Sequence, residues 1–173
     1  MTNVIAYFDG LEGALCYRIN RLSRHEYVRR FFALISKAGD GGFWVAMACV
    51  PLLIDGANAL PVIARMAVAT VVGIVLYKAL KTRLVRERPF INHGDIHCGT
   101  APLDRYSFPS GHTLHAASFA IMFTWYLPML GWVTIPFAIL VASSRVILGL
   151  HYPSDVLAGA LIGSMLAIIA IVL

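Results

Sequence analysis

Two histidines in the C-terminal half stand beside residues that suit acid–base or nucleophilic chemistry. His112 follows Pro109-Ser110-Gly111 at the start of an apolar run, and His151 lies four residues before Asp155. A carboxylate that accepts a hydrogen bond from one imidazole nitrogen leaves the other nitrogen free as a nucleophile or a base. The same carboxylate would also serve as an ordinary helix cap, because a negative charge in a first helical turn suits the helix dipole. A catalytic interpretation therefore needs further groups that converge on these histidines.

Two cations precede the histidines in the segment KTRLVRERP, residues 81–89. Lys81 and Arg88 are seven residues apart, which predicts that they lie about two turns apart on one face of a helix. Pro89 would then end that helix. Taken alone, the segment is also typical of a basic cytoplasmic loop in a membrane protein.

The segment around His112 predicts a binding site for an anion. Pro109 to His112 lie where a helix begins, and the free backbone N–H groups at a helix start attract anions. Gly111 allows close approach of the backbone, and Ser110 adds a hydroxyl donor. Arg145, near the end of the next apolar run, would supply a further cation. Taken alone, the segment is also typical of an ordinary N-terminal cap with an interfacial histidine.

The elements that carry these residues are predicted to be membrane-spanning helices. Of the 173 residues, 59% are hydrophobic and 13% are charged, and the mean hydropathy is +0.75, whereas soluble domains have about 25% charged residues. A backbone in lipid must satisfy its own hydrogen bonds, which favours helices. We therefore expect one all-α membrane domain over residues 1–173, with a transmembrane bundle over residues 40–173. The five expected spans are approximately 40–56, 60–80, 112–128, 131–150 and 155–173.

Residues 1–38 are predicted to form amphipathic helices that lie on the membrane surface. Ser23 and Glu26 have the spacing of a capping box, and Gly39 supplies a stop for the helix that would follow. The cations of this region would then lie at the level of the lipid phosphates. The alternative is a soluble cap packed on the bundle. Acidic residues interrupt the place where the apolar region of a signal peptide would lie, so no cleavable signal peptide is expected.

The cysteines predict neither a metal site nor a disulfide framework. Cys16, Cys49 and Cys98 have no metal-binding spacing, and their odd number argues against a complete set of intramolecular disulfides. A zinc site at His93, His97 and Cys98 is an alternative, but no second cluster completes a coordination sphere. We expect no metal and no cofactor.

The topology is predicted to bring the three polar segments together. With one helix between consecutive turns, residues 80–89, 109–112 and 145–155 fall on the same side of the membrane. Polar residues in a membrane protein are costly and tend to be functional. Three cations, a helix start, two histidines and one carboxylate in one cluster suit a phosphoryl group.

These segments resemble the three signature motifs of the type 2 phosphatidic acid phosphatase family, in order and in spacing. The matching patterns are Lys81-x6-Arg88-Pro89, Pro109-Ser110-Gly111-His112 and Ser144-Arg145-x5-His151-x3-Asp155. Each pattern is weak alone, but their joint occurrence is specific, and the hydropathy pattern extends the likeness to the whole chain. The chain looks like the short bacterial members of the family, with surface helices followed by five spans.

The resemblance implies a role for each matched residue. His151 would attack phosphorus and become a phosphohistidine, while Asp155 would hold its ring and stabilise the charged form. His112 would protonate the leaving oxygen and then activate water for the second step. The phosphate oxygens would be held by Lys81, Arg88, Ser110, the Gly111 amide and Arg145. No metal would be required.

The resemblance implies an integral membrane phosphatase for a lipid phosphate or pyrophosphate, with undecaprenyl pyrophosphate as the first candidate. Phosphatidylglycerophosphate, phosphatidate and lipid A 1-phosphate are the alternative substrates. A vanadate-dependent haloperoxidase would share the motifs, but those enzymes are soluble and much larger. Outside the enzymes, the alternative is a transporter or scaffold that binds anionic lipid without chemistry. The expected partners are the lipid substrate and membrane lipids, with no nucleic acid, and the sequence leaves the oligomeric state open.

Two signals conflict over the side of the membrane that the site faces. The basic residues of the N-terminal region lie on the catalytic side of a five-span topology, and the positive-inside rule would then place the site in the cytoplasm. The resemblance instead implies the periplasmic or outer face of the bacterial inner membrane. We adopt the outward orientation as the expectation, because surface helices use cations to bind lipid phosphates and need not report orientation.

Overall fold

The computed structural model describes the backbone of residues 2–173 and the side chains of residues 10–173. The described residues form helices and no β-strand, which confirms the predicted all-α class. Short 3₁₀ turns at Arg21–Arg24, Gly56–Ala59 and Pro128–Leu130 join neighbouring helices. The helices are α1 (Thr2–Asn20), α2 (Glu26–Gly39), α3 (Gly42–Asp55), α4 (Leu60–Arg83), α5 (Pro89–Asn92), α6 (Gly111–Tyr126), α7 (Gly131–Ile147) and α8 (Pro153–Val172).

The five expected spans correspond to α3, α4, α6, α7 and α8. Helical stretches long and apolar enough to cross a membrane are Gly42–Arg83, which contains α3 and α4, Pro128–Ile147 and Pro153–Val172. With 16 residues, α6 is shorter than a typical span. The outer faces of α4 and α8 expose large apolar side chains, which suits a lipid environment. Examples are Val68, Val75, Leu161 and Ile168.

The central helix of the bundle is α6, which packs against α4, α7 and α8. Its contact with α8 is very close, because Gly159 and Gly163 leave no side chain between the two backbones. A Cβ atom on Gly163 would lie 2.1 Å from the Leu114 carbonyl oxygen, and one on Gly159 would lie 2.5 Å from the Ser110 carbonyl oxygen. Small residues spaced four apart are a common means of close helix contact in membranes. The Ser110 backbone N–H also donates to the Asp155 carbonyl oxygen at 3.0 Å, so the starts of α6 and α8 adjoin.

The predicted capping box at Ser23 is wrong. Ser23 is buried in the 3₁₀ turn before α2, where its hydroxyl donates to the Asn20 carbonyl oxygen at 2.7 Å. Because the hydroxyl bonds backward to the end of α1, it does not cap α2, and His25 is the residue that precedes the helix. The C-terminal end of α2 is Gly39, as predicted.

One side of α2 packs on α7, where Gly39 fits against Val141. Tyr27, Phe31 and Leu34 on α2 remain exposed. The helix therefore combines a side that contacts the bundle with an exposed apolar side. Contact of the exposed side with the membrane surface stays a prediction.

The end of α1 fixes the loop between α5 and α6. Asn20 Nδ2 donates to the carbonyl oxygens of His97 and Ile147, both at 2.9 Å, and Asn20 Oδ1 accepts from the His97 backbone N–H at 2.8 Å. Gly149 completes this corner with a φ of 73°, and a Cβ atom there would lie 2.7 Å from the His97 carbonyl oxygen. The N-terminal region thereby holds in place two segments that lead into the polar site.

Candidate active site

Lys81 and Arg88 approach the site from different kinds of structure. Lys81 lies in the last turn of α4, which ends at Arg83, whereas Arg88 lies in the extended segment before α5. The prediction that both residues share one helix face is therefore wrong. A proline disfavours helical conformation at the residue before it, and Arg88, which precedes Pro89, has φ −78° and ψ 152°. Both cations are buried, with exposed fractions of 6% and 2%.

The start of α6 carries the second motif, as predicted. Ser110 caps the helix, and its Oγ atom lies 2.9 Å from Thr113 Oγ1 and 3.5 Å from the Thr113 backbone nitrogen. The Ser110 side chain is fully buried. In this structure its hydroxyl therefore bonds within the first turn of α6 and is not directed at the cavity. Gly111 and His112 line the adjoining cavity.

The third motif places Arg145 and His151 at the junction between α7 and α8. The Arg145 carbonyl oxygen accepts from the backbone N–H groups of Leu150 and His151, at 3.0 and 3.1 Å. The Arg145 guanidinium is buried and donates from Nη1 to the Ser36 hydroxyl of α2. The turn at Gly149 thus holds a cation and a histidine in one corner.

His151 is buried among cations. Its Nε2 atom lies 3.3 Å from Arg88 Nη1, and its Nδ1 atom lies 3.6 Å from Asp155 Oδ2. The second distance is too long for a hydrogen bond, and Nδ1 has no hydrogen-bond partner among the residues that the structure describes. Burial, together with the charges of Arg145, Arg88 and Lys81, lowers the pKa of His151 well below its usual value. A neutral imidazole is the form that a nucleophile requires.

Arg86 is a site residue that motif spacing did not reveal. Its Nη1 atom donates to Asp155 Oδ1 at 2.8 Å, and its Nη2 atom pairs with Glu12 Oε2 at 2.5 Å. The other Asp155 oxygen, Oδ2, accepts from the Tyr152 backbone N–H at 2.8 Å. Burial opposes the charge of Arg86, but the hydrogen bond to Glu12 and the charge of Asp155 raise the pKa of Arg86. Both oxygens of the Asp155 carboxylate are therefore fixed beside His151.

Asp104 is a second residue that the motifs did not reveal, and it contacts two of the predicted phosphate-binding cations. Its Oδ1 atom accepts from Lys81 Nζ at 2.7 Å and from Arg88 Nη2 at 2.8 Å. Partial burial works against the ionised form of Asp104, but the two cations outweigh burial and hold the pKa of this carboxyl below its usual value. The Asp104 carboxylate thus accepts hydrogen bonds from Lys81 and Arg88, the two side chains that the resemblance expects to donate to phosphate oxygens.

A cavity of about 670 Å³ joins the polar site to apolar faces of α3 and α4. Its polar end includes predicted site residues from all three motifs: Lys81, Arg88, Gly111, His112, Arg145 and His151. Its apolar walls include Trp44, Val45, Ala48, Ile63, Met66 and Ile74. A smaller cavity of about 430 Å³ reaches His112 and Arg145 past Ser36 and Asp40 of α2. The site therefore has one long apolar approach and one approach beside α2.

Two residues of the alternative zinc site, Cys98 and His93, contact separate parts of the chain. The Cys98 thiol donates to the Thr100 carbonyl oxygen at 3.2 Å, and the His93 ring packs beside Gly13 and Tyr152. In the part of the chain that the structure describes, no three His, Cys, Asp or Glu side chains are grouped to hold a metal ion.

The sequence profile of the PAP2 superfamily matches residues 62–173, which is more than half of the chain. The chain belongs to the PAP2 superfamily. This membership confirms the resemblance inferred from the three motifs. The match begins in the first turn of α4 and contains all three motifs, whereas α1, α2 and α3 precede it.

Individual PAP2 proteins are similar over most of the chain. The undecaprenyl-diphosphatase of Sulfolobus acidocaldarius is 29% identical over 138 residues, which cover 79% of this chain and 66% of that protein. The chain thus spans slightly less than two thirds of that relative's length. The crystal structure of LpxE from Aquifex aeolicus has a TM-score of 0.75 and 28% identity, and the match covers 92% of this chain and 94% of that one.

A second solved structure supports the membrane fold. A transmembrane PAP2-type phosphatidylglycerolphosphate phosphatase from Bacillus subtilis matches with a TM-score of 0.68 and 23% identity, over 98% of this chain and 92% of that one. At this identity the likeness shows a shared fold. Together with the exposed apolar helices, it identifies the chain as a membrane protein.

Proposed function

We propose that this chain hydrolyses the phosphate or pyrophosphate of a membrane lipid through a phosphohistidine formed at His151. The proposal rests on one observation: the buried His151 and the cations Lys81, Arg88 and Arg145 converge on one cavity. His112, at the start of α6, lines the same cavity. The cluster supplies a nucleophile, a proton donor and charge stabilisation for phosphoryl transfer.

In the first step, His151 Nε2 would attack phosphorus and form a P–N bond while the P–O bond to the leaving group breaks. Nε2 is the attacking atom because Nδ1 lies on the Asp155 side of the ring. His112 would give its proton to the leaving oxygen. Asp155 would offset the positive charge on the phosphorylated imidazole.

In the second step, water would attack phosphorus while the P–N bond breaks. His112 would accept a proton from the water and return to its protonated form. Inorganic phosphate would leave, and His151 would be neutral again. At the end of the cycle, both histidines are back in the protonation states in which they began.

The phosphoryl oxygens would be held by the three cations and by the Gly111 N–H at the start of α6. Ser110 would join them only by leaving its contact with Thr113. Because cationic side chains supply the charge stabilisation that a bound metal ion provides elsewhere, we propose a mechanism without a metal.

The apolar part of the larger cavity favours a substrate with a long hydrocarbon chain attached to its phosphate. We propose undecaprenyl pyrophosphate as the first candidate, which agrees with the name of the Sulfolobus relative. Phosphatidylglycerophosphate, phosphatidate and lipid A 1-phosphate have the same combination of apolar chain and phosphate, and they are the alternatives.

The test is phosphate release by the purified full chain in detergent, with each of these four lipids offered separately. We expect release from undecaprenyl pyrophosphate to be fastest, and we expect His151→Ala to lower the rate at least about 10³-fold. The matched control is His25→Ala, since His25 precedes α2 and makes no side-chain cap bond there. Near wild-type release by His151→Ala would reject the covalent mechanism, whereas no release from any lipid by the wild type would favour the lipid-binding alternative.

A further inference from the structure

The end of α2 contributes two polar side chains to the site, and neither belongs to the three motifs. Ser36 and Asp40 are four residues apart, which places them on one face of the helix end. The Ser36 hydroxyl accepts from Arg145 Nη1, and Asp40 Oδ1 contacts His112 Nε2. Both residues precede the segment that matches the PAP2 superfamily.

Asp40 lies at a position where its negative charge does not stabilise its own helix. It follows Gly39 at the C-terminal end of α2, and the helix dipole disfavours a negative charge at that end. Its partner is instead the imidazole of His112, whose side chain is 12% exposed while that of Asp40 is 41% exposed. Asp40 thus faces the cavity beside α2 and presents a negative charge to the proton-carrying residue of the proposed mechanism.

We propose that Asp40 is a positioning residue for His112 that holds the ring through Nε2 and stabilises its protonated form. This inference rests on the proposed function, in which His112 gives a proton to the leaving oxygen. With Nε2 bound to Asp40, the proton passes from Nδ1 to the leaving oxygen as the P–O bond breaks. In the second step a water proton returns to Nδ1, and Asp40 stays ionised throughout.

The site then contains two aspartate–histidine pairs with different origins. Asp155 and His151 come from the third motif, whereas His112 comes from the second motif and Asp40 comes from the N-terminal region. The amphipathic helix α2 is therefore part of the active site as well as a cover for α7. The smaller cavity, lined by Ser36, Asp40 and His112, would give water access to His112 from the side of α2.

The test compares leaving groups, because loss of a proton donor slows expulsion of a basic oxygen far more than expulsion of a stabilised one. The substrates are p-nitrophenyl phosphate, with a good leaving group, and dodecyl phosphate, with a poor one. For each we would measure kcat/KM, which reports the steps up to release of the leaving group. We expect Asp40→Asn to lower kcat/KM for dodecyl phosphate about 100-fold and that for p-nitrophenyl phosphate less than about tenfold.

The matched control is Asp55→Asn, which removes the carboxylate at the C-terminal end of α3. Asp55 accepts from the Tyr126 hydroxyl at 2.9 Å, and the length of α3, about 20 Å, separates it from the end of α2 that carries Asp40. Both values of kcat/KM should stay within about twofold of the wild type in this variant. Asp40→Glu, which keeps the charge, should recover part of the dodecyl phosphate activity.

Two outcomes would overturn the inference, and they are distinguishable from failure of the proposed function. In the first, His112→Ala shows the leaving-group dependence, but Asp40→Asn lowers kcat/KM equally for the two substrates or leaves both values unchanged. Asp40 then does not act through His112. Additional loss from Asp40→Asn in the His112→Ala background would have the same meaning, because residues that act as a unit are not additive. If His112→Ala itself shows no leaving-group dependence, His112 is not the acid and the inference about Asp40 falls with that role, whereas the covalent step at His151 is tested separately by His151→Ala.

Discussion

At the scale of residues, cations and carboxylates of the site form ion pairs with one another in the absence of substrate. Lys81 and Arg88 share Asp104, and Arg86 holds the Asp155 carboxylate. Buried charges require such partners, because an unpaired charge in a low-dielectric interior is costly. A phosphate that enters the site must therefore displace Asp104 or share its donors.

We expect Asp104→Asn to bind phosphate-like oxyanions more tightly than the wild-type protein, because carboxylate and oxyanion compete for the same two cations. Vanadate should inhibit the variant with an inhibition constant about fivefold lower, equivalent to about 1 kcal/mol. The measurement is inhibition of phosphate release over a vanadate series. Asp95→Asn, which changes another acidic residue of the loop between α5 and α6, is the control. Weaker vanadate inhibition of Asp104→Asn would show that Asp104 organises the cations and does not compete with the oxyanion.

At the scale of elements, the site depends on the close approach of α6 and α8. The backbone of α8 at Gly163 touches the Leu114 carbonyl oxygen of α6, and the helix starts that carry His112 and Asp155 lie one and two turns beyond this contact. Separation of the two helices would therefore move His112, the proposed proton donor, relative to His151, the proposed nucleophile. Gly163 therefore supports the geometry of the site from a position about two turns away from Asp155.

We expect Gly163→Ala to destabilise the bundle by about 1–3 kcal/mol, because the new methyl group would overlap a backbone oxygen that cannot rotate away. The matched control is Gly42→Ala in the first turn of α3, where nothing lies within 4 Å of the added Cβ atom. The measurement is the thermal unfolding midpoint of each purified variant in one detergent. Equal midpoints for the two variants would contradict the close α6–α8 contact.

At the scale of the whole molecule, the proposed mechanism requires only the polypeptide. Activity should therefore survive an excess of EDTA, since in this mechanism Lys81, Arg88 and Arg145 would supply the charge stabilisation that a metal ion provides elsewhere. The measurement is phosphate release before chelation, after chelation, and after readdition of Mg²⁺ or Zn²⁺. Activity that EDTA abolishes and one of these ions restores would reject the metal-independent mechanism.

The proposed outward orientation predicts that Cys98 is reached from outside the cell, because the loop between α5 and α6 leads into the site. In a Cys16→Ala, Cys49→Ala variant, a membrane-impermeant maleimide should label Cys98 on intact cells with a permeabilised outer membrane, where one is present. Burial raises the pKa of the Cys98 thiol, so the reaction should be run at mildly alkaline pH to supply thiolate.

Lysed membranes provide the control for this labelling, since they expose both faces to the reagent. Labelling that occurs only after lysis would place the site in the cytoplasm. The basic residues of the N-terminal helices would then be a true topology signal, and a role in phospholipid synthesis at the cytoplasmic face would replace the proposed one.

The sequence by itself determined the features that depend on local composition. Long apolar runs predicted the helices of the bundle, Gly39 predicted the end of α2, and the Pro109–His112 segment predicted the start of α6. The three motifs predicted the family, because their order and spacing are read along one chain. Local spacing failed for Lys81 and Arg88, since it assumed a continuous helix where the chain is extended before a proline.

Only the tertiary structure revealed Arg86, Asp104, Ser36 and Asp40 as neighbours of the site. Arg86 and the exposed Arg83 look alike in a basic segment, and burial beside Asp155 is what separates them. Ser36 and Arg145 are 109 residues apart in the chain, and Asp40 and His112 are 72 apart. No periodicity connects such positions, because their contact depends on how α2 packs on α7 and on the start of α6. The pairing of side chains across packed helices is a property of the assembled bundle, and a single sequence carries no local signal for it.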